Sequence, residues 1–336
     1  MAHRDIIVIG TSLGGVEALP RLVAALPANL QAAVLVVMHL APHAHSFLAD
    51  RLDQVGPLRA AAAIDGEKLE HGRIYVPVVD HHLMIEGDRV RLTRGPRESH
   101  ARPSVDVLFR SAAYFCGPRV VGVVLTGMLD DGTSGLWSIK DRGGVAIVQS
   151  PDEAPEPGMP RSALRHVEVD YTLRIDQMPD VLESLQHEEV PDPPPRTTRN
   201  SLLAVETRVA LGENARDSGM AALGEQSFFT CPICQGSMIA VHDGSFRRFR
   251  CHTGHGFTPA SLAEQSLEQV ERSLFAAMAQ LEEYEVLLHE LEQDALANGR
   301  ADAAARFRRE AQGIRQLVLR TRELAIDPSL SPPADA

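Results

Sequence analysis

The chain has 336 residues, 44% of them hydrophobic, and a formal net charge of -12 at pH 7. This size and composition predict two globular domains, or one domain with a substantial extension. The acidic balance argues against binding of nucleic acid through phosphates, no apolar run approaches the roughly 20 residues that cross a membrane, and the amino terminus lacks a signal-peptide pattern. We therefore expect a cytoplasmic protein that neither binds nucleic acid nor inserts into a membrane.

Strand and helix patterns alternate along the first part of the chain. The main strand patterns are the apolar runs DIIVIG, AAVLVVMHL, RVVGVVLTG and GGVAIVQ. Helical spacing of apolar residues occurs in GGVEALPRLVAAL, SFLADRLDQV, SVDVLFRSAAYF, GLWSIKDR, MPRSALRH and QMPDVLESLQ. Between residues 58 and 93 the pattern changes to short strands with turns, which indicates an inserted antiparallel hairpin. The order predicts an α/β domain over residues 1–187, a doubly wound, mostly parallel sheet with helices on both faces.

The carboxy-terminal part has a different organisation. Residues 188–200 contain four prolines and predict an extended linker. The following stretch SLLAVETRVALGENA has no clear assignment, and we place it with the cysteines in a small unit over residues 201–258. Residues 259–326 have helical patterns that favour an antiparallel helical hairpin, although a single surface helix is the alternative. The last residues, 327–336, are expected to be disordered.

A heptad pattern supports the hairpin interpretation. In the first helix, two seams repeat every seven residues, Leu267, Leu274, Leu281 and Leu288 in one and Val270, Ala277, Tyr284 and Leu291 in the other. The sequence ANGR then interrupts the helical pattern. A second apolar stripe follows at Phe307, Ile314, Leu317 and Leu324. We expect two antiparallel helices joined at the interruption.

The stretch GTSLGG, residues 10–15, follows the first strand and precedes the first helix. It fits G-x-S-x-G, a spacing that exposes a serine on a sharp turn, here Ser12. A loop that holds a phosphate is the alternative, because amide groups at a helix start suit either an oxyanion or a phosphate. The stretch lacks the glycine spacing of a dinucleotide loop and the lysine of a P-loop. Local sequence alone leaves both interpretations open.

A serine nucleophile needs a base, and two further strand patterns end on residues that could provide one. His39 ends the run AAVLVVMHL, and Asp130 and Asp131 follow the run that contains VVLTG. Parallel strands bring their carboxyl ends to one edge of a sheet, so these side chains should meet Ser12 there. Each also has a simpler interpretation, because DDG is a good turn sequence and His39 with His43 and His45 could form a metal cluster. The order Ser, His, Asp disfavours an α/β-hydrolase.

Several blocks together resemble the catalytic domain of the chemotaxis protein-glutamate methylesterases, the CheB family. These blocks are IGTSLGGVEAL, VVMHLAP, PVVDHHLMI, RPSVDVLFRSAA, GVVLTGMLDDGTSGL and GMPRSAL. The resemblance spans about residues 5–186. It implies hydrolysis of glutamate methyl esters on chemoreceptors, and for some members deamidation of receptor glutamines. The expected substrate partner is thus a methylated chemoreceptor or a similar signalling protein.

The resemblance also implies roles for individual residues. The family serine corresponds to Ser12, its histidine to His39 and its aspartate to Asp131 rather than Asp130. Backbone N–H groups of Leu13 and Met128 would stabilise the oxyanion. Leu13 departs from the small or hydroxyl residue found in many members, so a side-chain donor would be lost. Well-known members carry an amino-terminal receiver domain, and we expect none before Ser12.

Three cysteines indicate a structural metal site. CPIC at residues 231–234 and CHTGH at residues 251–255 give C-x₂-C, a gap of sixteen residues and C-x₃-H. Two such turns fit tetrahedral zinc, with Cys231, Cys234, Cys251 and either His255, which we favour, or His252 as ligands. A thioredoxin-like redox pair is the alternative. Four protein ligands leave no open position, so we expect this zinc to be structural and expect no cofactor for catalysis.

These observations support two hypotheses from different classes. The first is a serine esterase that acts through a Ser-His-Asp triad. The second is an inactive or slow homologue that serves as a signalling adaptor. In that case the zinc unit and helical hairpin would recruit a partner such as a methyltransferase or a histidine kinase. A rate on methylated receptor, compared with the Ser12→Ala variant, distinguishes the two.

Overall fold

The computed structural model describes residues 2–39, 47–191 and 201–327. His43, His45, most of the predicted linker and nearly all of the predicted disordered tail lie outside these residues, so those predictions stay open. The chain divides into two compact units, Met1–Ser261 and Leu262–Ala336. No helix in the described ranges is both long and apolar enough to cross a membrane.

The described residues contain both strands and helices throughout. The strands are β1 (Ala2–His3), β2 (Ile6–Thr11), β3 (Ala33–Met38), β4 (Arg59–Ala62), β5 (Arg73–Val76), β6 (His82–Glu86), β7 (Arg89–Thr93), β8 (Val120–Val124), β9 (Val145–Gln149), β10 (Tyr171–Leu173), β11 (Glu189–Val190), β12 (Glu225–Thr230), β13 (Ser237–Asp243), β14 (Phe246–Cys251) and β15 (Gly256–Phe257). The helices are α1 (Gly15–Ala24), α2 (Leu48–Val55), α3 (Val105–Cys116), α4 (Thr133–Asp141), α5 (Gly158–His166), α6 (Met178–Leu185), α7 (Leu202–Ala210), α8 (Pro259–Ala297) and α9 (Ala301–Ala325).

A seven-stranded sheet in the order β10-β9-β8-β2-β3-β5-β4 forms the centre of the first unit. Every neighbouring pair in it is parallel. Strands β2, β3, β8 and β9 are buried along their whole length because each is an uninterrupted apolar run covered on both faces. One apolar core lies on each side of the sheet. The predicted α/β class with a parallel sheet is confirmed.

The hairpin insertion is shorter than the sequence pattern suggests. Strands β6 and β7 pair antiparallel, and Gly87 in the turn between them has a φ of 66°, a left-handed conformation that glycine adopts without strain. Strands β4 and β5 come from the same segment but join the parallel sheet beside β3. Their brevity made them resemble hairpin strands, whereas the sheet edge is what limits their length.

The cysteine-containing segment forms a four-stranded antiparallel sheet, β12-β13-β14-β15. Helix α7, in the stretch that the sequence left unassigned, precedes this sheet and packs against α3. Ser201 caps α7, because its side chain accepts a hydrogen bond from the Ala204 N–H at 3.3 Å. The Ala210 carbonyl at the other end accepts a bond from Thr93 Oγ1 at 2.7 Å. Helix α7 is therefore held at both ends against its surroundings.

Buried charged residues join this segment to the parallel-sheet part. Arg110 of α3 and Arg248 and Arg250 of β14 are each 3% exposed or less. Glu206 of α7 accepts hydrogen bonds at 2.7 Å from Arg248 Nη1 and from Arg250 Nε. Glu98 pairs with Arg250 Nη1 at 2.7 Å and also with Arg110. Because a buried charge without a partner costs several kcal/mol, about 3–5, these residues depend on one another.

The same network reaches the start of α4. Asp243 pairs with Arg248, with Nη2 and Oδ1 3.0 Å apart, and accepts a hydrogen bond from Ser134 Oγ at 2.7 Å. Arg110 Nη1 in turn donates to Ser134 Oγ at 3.1 Å. Ser134 lies three residues after Asp131, so the buried network contacts the turn that carries this predicted site residue.

The second unit is an antiparallel pair of helices. Tyr284 Oη of α8 donates a hydrogen bond to Glu310 Oε1 of α9 at 2.8 Å, and Arg308 Nε of α9 donates to Glu292 Oε1 of α8 at 2.6 Å. Gly299, with a φ of 69°, lies in the turn between them. The pairing agrees with the predicted helical hairpin, including the break at ANGR.

The contact seam of α9 differs from the predicted stripe. Leu317 and Leu324 are 46% and 57% exposed, and Phe307 and Ile314 are half-buried. The buried positions repeat every seven residues at Ala304, Ala311, Val318 and Ala325. Small side chains let two helix backbones come close, whereas the sequence pattern selected the largest apolar residues.

Candidate active site

Ser12 lies between the end of β2 and the start of α1. Its N–H donates to the Thr126 carbonyl at 3.0 Å, and its carbonyl accepts from the Gly15 N–H at 2.9 Å. These bonds hold a tight strand-to-helix turn beside the segment that follows β8. The side chain of Ser12 is partly exposed, as the G-x-S-x-G spacing predicts.

Glycines around Ser12 are required by close approach. Gly14 has a φ of 83°, and a Cβ there would lie 2.8 Å from Thr126 Oγ1. A Cβ on Gly127 would lie 2.1 Å from Met159 Sδ and 2.9 Å from the Ser12 Cβ. Any side chain at either position would displace the serine turn or the segment packed against it.

His39 follows β3 and lies between Ser12 and Asp131. Its Nδ1 atom is 3.1 Å from Ser12 Oγ, and its Nε2 atom is 2.7 Å from Asp131 Oδ2. The neighbouring positions of β2, β3 and β8 in the sheet bring these three distant residues to one edge. A carboxylate beside Nε2 favours the tautomer with its proton on Nε2, which leaves Nδ1 free to accept the Ser12 hydroxyl proton.

Asp131 is held by the first turn of α3. Its carboxylate accepts hydrogen bonds from the N–H groups of Val105 and Asp106 at 2.8 and 3.0 Å and from Ser104 Oγ at 3.0 Å. Burial raises the pKa of Asp131, but the bond and charge of His39 and these N–H groups outweigh it and hold the pKa below its ordinary value. Asp131 is thus an anion whose position is fixed by a helix start.

Asp130 has a different environment from its neighbour. It is 8% exposed, and burial together with the charge of Asp131 raises its pKa to about 7, against a hydrogen bond from the Thr258 side chain. Its Oδ1 atom has no hydrogen-bond partner within the described ranges. The carboxylate that contacts His39 is therefore Asp131, the one the sequence favoured.

Leu13 and Met128 flank Ser12 on two different turns. Their side chains are 54% and 50% exposed. Neither backbone N–H donates a hydrogen bond to another residue in the part of the chain that the structure describes. Two unbonded amide donors beside a serine can stabilise a developing oxyanion.

A small pocket of about 200 Å³ opens beside His39. Its lining includes Arg97, Ser99, Arg102 and Pro103, all from the segment between β7 and α3. The sequence analysis assigned no role to this segment. A proline and a serine directly before a helical pattern do indicate a helix start, and that signal could have located the amides that hold Asp131.

Comparison with known proteins gives this arrangement a family. Residues 7–182 of the 336, just over half of the chain, match the family described as CheB methylesterase. The chain belongs to the CheB methylesterase family. Every part of the Ser12, His39 and Asp131 arrangement falls within the matched residues.

Individual relatives agree with the CheB match. The protein-glutamate methylesterase/protein-glutamine glutaminase 2 of Methanosarcina mazei is 40% identical over 185 residues, which cover 53% of this chain and 50% of the relative. The protein of the same name from Carboxydothermus hydrogenoformans is 38% identical over 191 residues, covering 55% of this chain and 54% of the relative. This chain therefore spans about half the length of these curated relatives.

A solved CheB structure has the same fold. The crystal structure of the Thermotoga maritima CheB methylesterase catalytic domain matches with a TM-score of 0.52 and 33% sequence identity. The match covers 55% of this chain and 100% of that domain. The share of this chain that it covers is close to that of the parallel-sheet part.

Outside the CheB match, four side chains form a group that could hold a metal ion. Each of Cys231, Cys234, Cys251 and His255 offers one ligand atom, and these atoms all lie within 4.8 Å of one another. Cys231 and Cys234 lie in the turn between β12 and β13, and Cys251 and His255 in the turn between β14 and β15. The two predicted turns therefore meet, as the spacing indicated.

The distances in this group suit tetrahedral coordination. Cys234 Sγ and Cys251 Sγ are 3.7 Å apart, and Cys231 Sγ and Cys251 Sγ lie 3.7 and 3.5 Å from His255 Nδ1. Tetrahedral thiolates about 2.3 Å from zinc would lie about 3.8 Å from one another. His252, the alternative ligand, is exposed and outside the group.

Proposed function

We propose that this chain hydrolyses methyl esters of glutamate side chains on chemoreceptor-type signalling proteins. The observation that carries the proposal is the hydrogen-bonded row of Ser12, His39 and Asp131 within a CheB family match. Deamidation of receptor glutamines uses the same acyl chemistry, and the names of the relatives include it. It is therefore a second reaction of the same proposed site.

In the first step, Ser12 Oγ attacks the ester carbonyl carbon while His39 Nδ1 takes the hydroxyl proton. Asp131 keeps the imidazole oriented and stabilises its charged form. The oxygen of the carbonyl becomes an anion, which the N–H groups of Leu13 and Met128 stabilise. The arrangement leaves the side chain of Leu13 without a part in this step.

In the second step, the tetrahedral species collapses and breaks the bond to the methoxy group. The proton on His39 passes to the leaving oxygen, so that methanol departs and a glutamyl ester of Ser12 remains. Water then attacks this ester with His39 as base. The products are a receptor glutamate and free Ser12.

We propose further that Cys231, Cys234, Cys251 and His255 bind zinc. Three thiolates and an imidazole are a common donor set for structural zinc, and four protein ligands supply no open position for a substrate. The zinc would hold the turns at either end of the small sheet together. Residues 1–187 would then form the catalytic domain, 201–258 the zinc-binding unit and 259–326 the helical hairpin. Recruitment of a methyltransferase or a histidine kinase by the last two stays a prediction.

The test is methanol release from a methylated receptor fragment. Ser12→Ala should abolish release while the protein stays folded, because no other hydroxyl contacts His39 in the described residues. Ser184→Ala, an exposed serine on α6 of the same part of the chain, is the matched control and should keep full activity. Methanol release by the Ser12→Ala protein at the rate of the control would disprove the nucleophile and the proposed mechanism.

A further inference from the structure

A second, larger cavity lies next to the pocket at His39. Its volume is about 640 Å³. One wall is the segment of residues 94–102, and the other is formed by residues 209–216 and the two turns of the cysteine group. Arg97 and Arg102 line both this cavity and the pocket at His39. A ligand that reaches His39 can therefore continue into the larger cavity, which we call the arginine groove.

Asp80 holds three arginines of the groove in place. Its carboxylate is 2.6 Å from Arg94 Nη2, 2.8 Å from Arg102 Nη2 and 3.1 Å from Arg97 Nη2. One carboxylate cannot use the donors of three guanidinium groups, each of which has five N–H donors. The arginines are thus oriented, and several of their donors are available to a ligand.

The opposite wall adds Arg216, which is exposed and makes no side-chain hydrogen bond or ion pair in the described ranges. Glu213 is the carboxylate on this wall, and it lies 3.7 Å from Arg208. Asp80 and Glu213 together leave the four lining arginines in excess. In a chain with a net charge of -12, this is a locally positive surface.

Apolar side chains accompany the charges. Ile233, which is 41% exposed, and Val209 line the same wall as Arg216. Guanidinium groups match carboxylates in shape and charge, and a neighbouring apolar surface suits the carbon side chains of a peptide. A ligand that fits both has acidic and apolar side chains along one face.

We propose that the arginine groove binds a glutamate- or aspartate-rich segment of the protein substrate, next to the residue that is hydrolysed. This inference rests on the proposed function, because it takes the substrate to be a protein. The segment beyond the cysteine group would thereby act in substrate selection, and the part of the chain outside the CheB match would contribute one wall of the binding site.

The experiment reverses the charge of two exposed groove arginines that lie outside the catalytic row. Arg94→Glu/Arg216→Glu should raise KM for a methylated receptor fragment by at least about tenfold. Turnover of a small activated ester, which cannot reach the groove, should change less than twofold. Arg59→Glu/Arg165→Glu makes the same change in net charge at exposed positions away from the groove, and should leave both activities unaltered.

A binding measurement separates this inference from the proposed function. A fluorescein-labelled glutamate-rich peptide should bind to the Ser12→Ala protein, and a glutamine-substituted peptide of the same length should bind more weakly. Binding should depend on Arg94 and Arg216. Such binding without any hydrolysis of methylated receptor would support the groove and overturn the esterase. Hydrolysis that is indifferent to both arginines, or tighter arginine-dependent binding of an RNA oligonucleotide, would overturn the groove.

Discussion

Nε2 of His39 and Oδ2 of Asp131 lie 2.7 Å apart, on residues separated by 92 positions in the chain. Asp131→Asn replaces the anion with an amide that favours the wrong imidazole tautomer. We expect kcat to fall by about 10³- to 10⁴-fold. Asp130→Asn, a change of the same kind one residue earlier, should cost less than tenfold because Asp130 does not contact His39. Steady-state rates on methylated receptor check both, and a larger effect at Asp130 would reverse the assignment.

Asp130 should make stability depend on pH. Its pKa is about 7 in the folded protein against an ordinary value of 3.8. Between these values the unfolded chain has released a proton that the folded protein keeps, so the free energy of unfolding falls as pH rises from about 4 to 7. The fall should be on the order of a few kcal/mol.

The Asp130→Asn variant isolates this effect. It should lack the part of the pH dependence that Asp130 causes, and should therefore gain stability relative to the wild type as pH rises from about 4 to 7. Urea unfolding at several pH values measures the difference. Parallel curves for the two proteins over this range would show that Asp130 is ionised when folded.

The two histidines of the cysteine group provide a matched pair. His255→Ala removes one of four proposed zinc ligands, and should lower the zinc content of the purified protein and its melting temperature. His252→Ala changes an exposed residue outside the group, and should bind one zinc ion as the wild type does. Metal analysis by mass spectrometry and thermal unfolding check the pair. Full zinc content in the His255→Ala protein would contradict the ligand assignment.

Glu206 should be among the most sensitive positions for stability. Burial raises its pKa, but Arg248, Arg250 and Arg110 outweigh burial and hold the pKa well below its ordinary value. Glu206→Gln removes the negative charge shared by these buried arginines, so we expect a loss of about 3–5 kcal/mol in the free energy of unfolding. Glu213→Gln, on an exposed carboxylate near the end of the same helix, should cost less than about 1 kcal/mol. Urea unfolding compares the two, and equal losses would contradict the network.

The catalytic row was predictable because it follows from sheet geometry. Ser12, His39 and Asp131 each come directly after a strand with a strong apolar pattern, and parallel strands place such residues at one edge. The cysteine group was predictable for a similar reason, because ligand spacing within each turn is local. In both cases the signal lies within a few residues of each site residue.

Contacts between distant polar residues left no such signal. The N–H groups of Val105 and Asp106 hold Asp131, although only the backbone takes part and the side chains reveal nothing. Glu206 pairs with Arg248 and Arg250 across more than forty residues, in a stretch whose helical pattern was too short to assign. The close α8–α9 seam at alanines was missed because apolar periodicity gives most weight to large side chains.

The attachment of Asp131 to α3 has a consequence for how the family diverges. The residue that orients His39 also completes the hydrogen bonds of a buried helix start, so folding alone gives a reason to retain it. Ser12 and His39 carry no such second duty. Copies of this chain that have lost the reaction should therefore lose the serine and the histidine first, and an aspartate left at this position would be a relic of architecture.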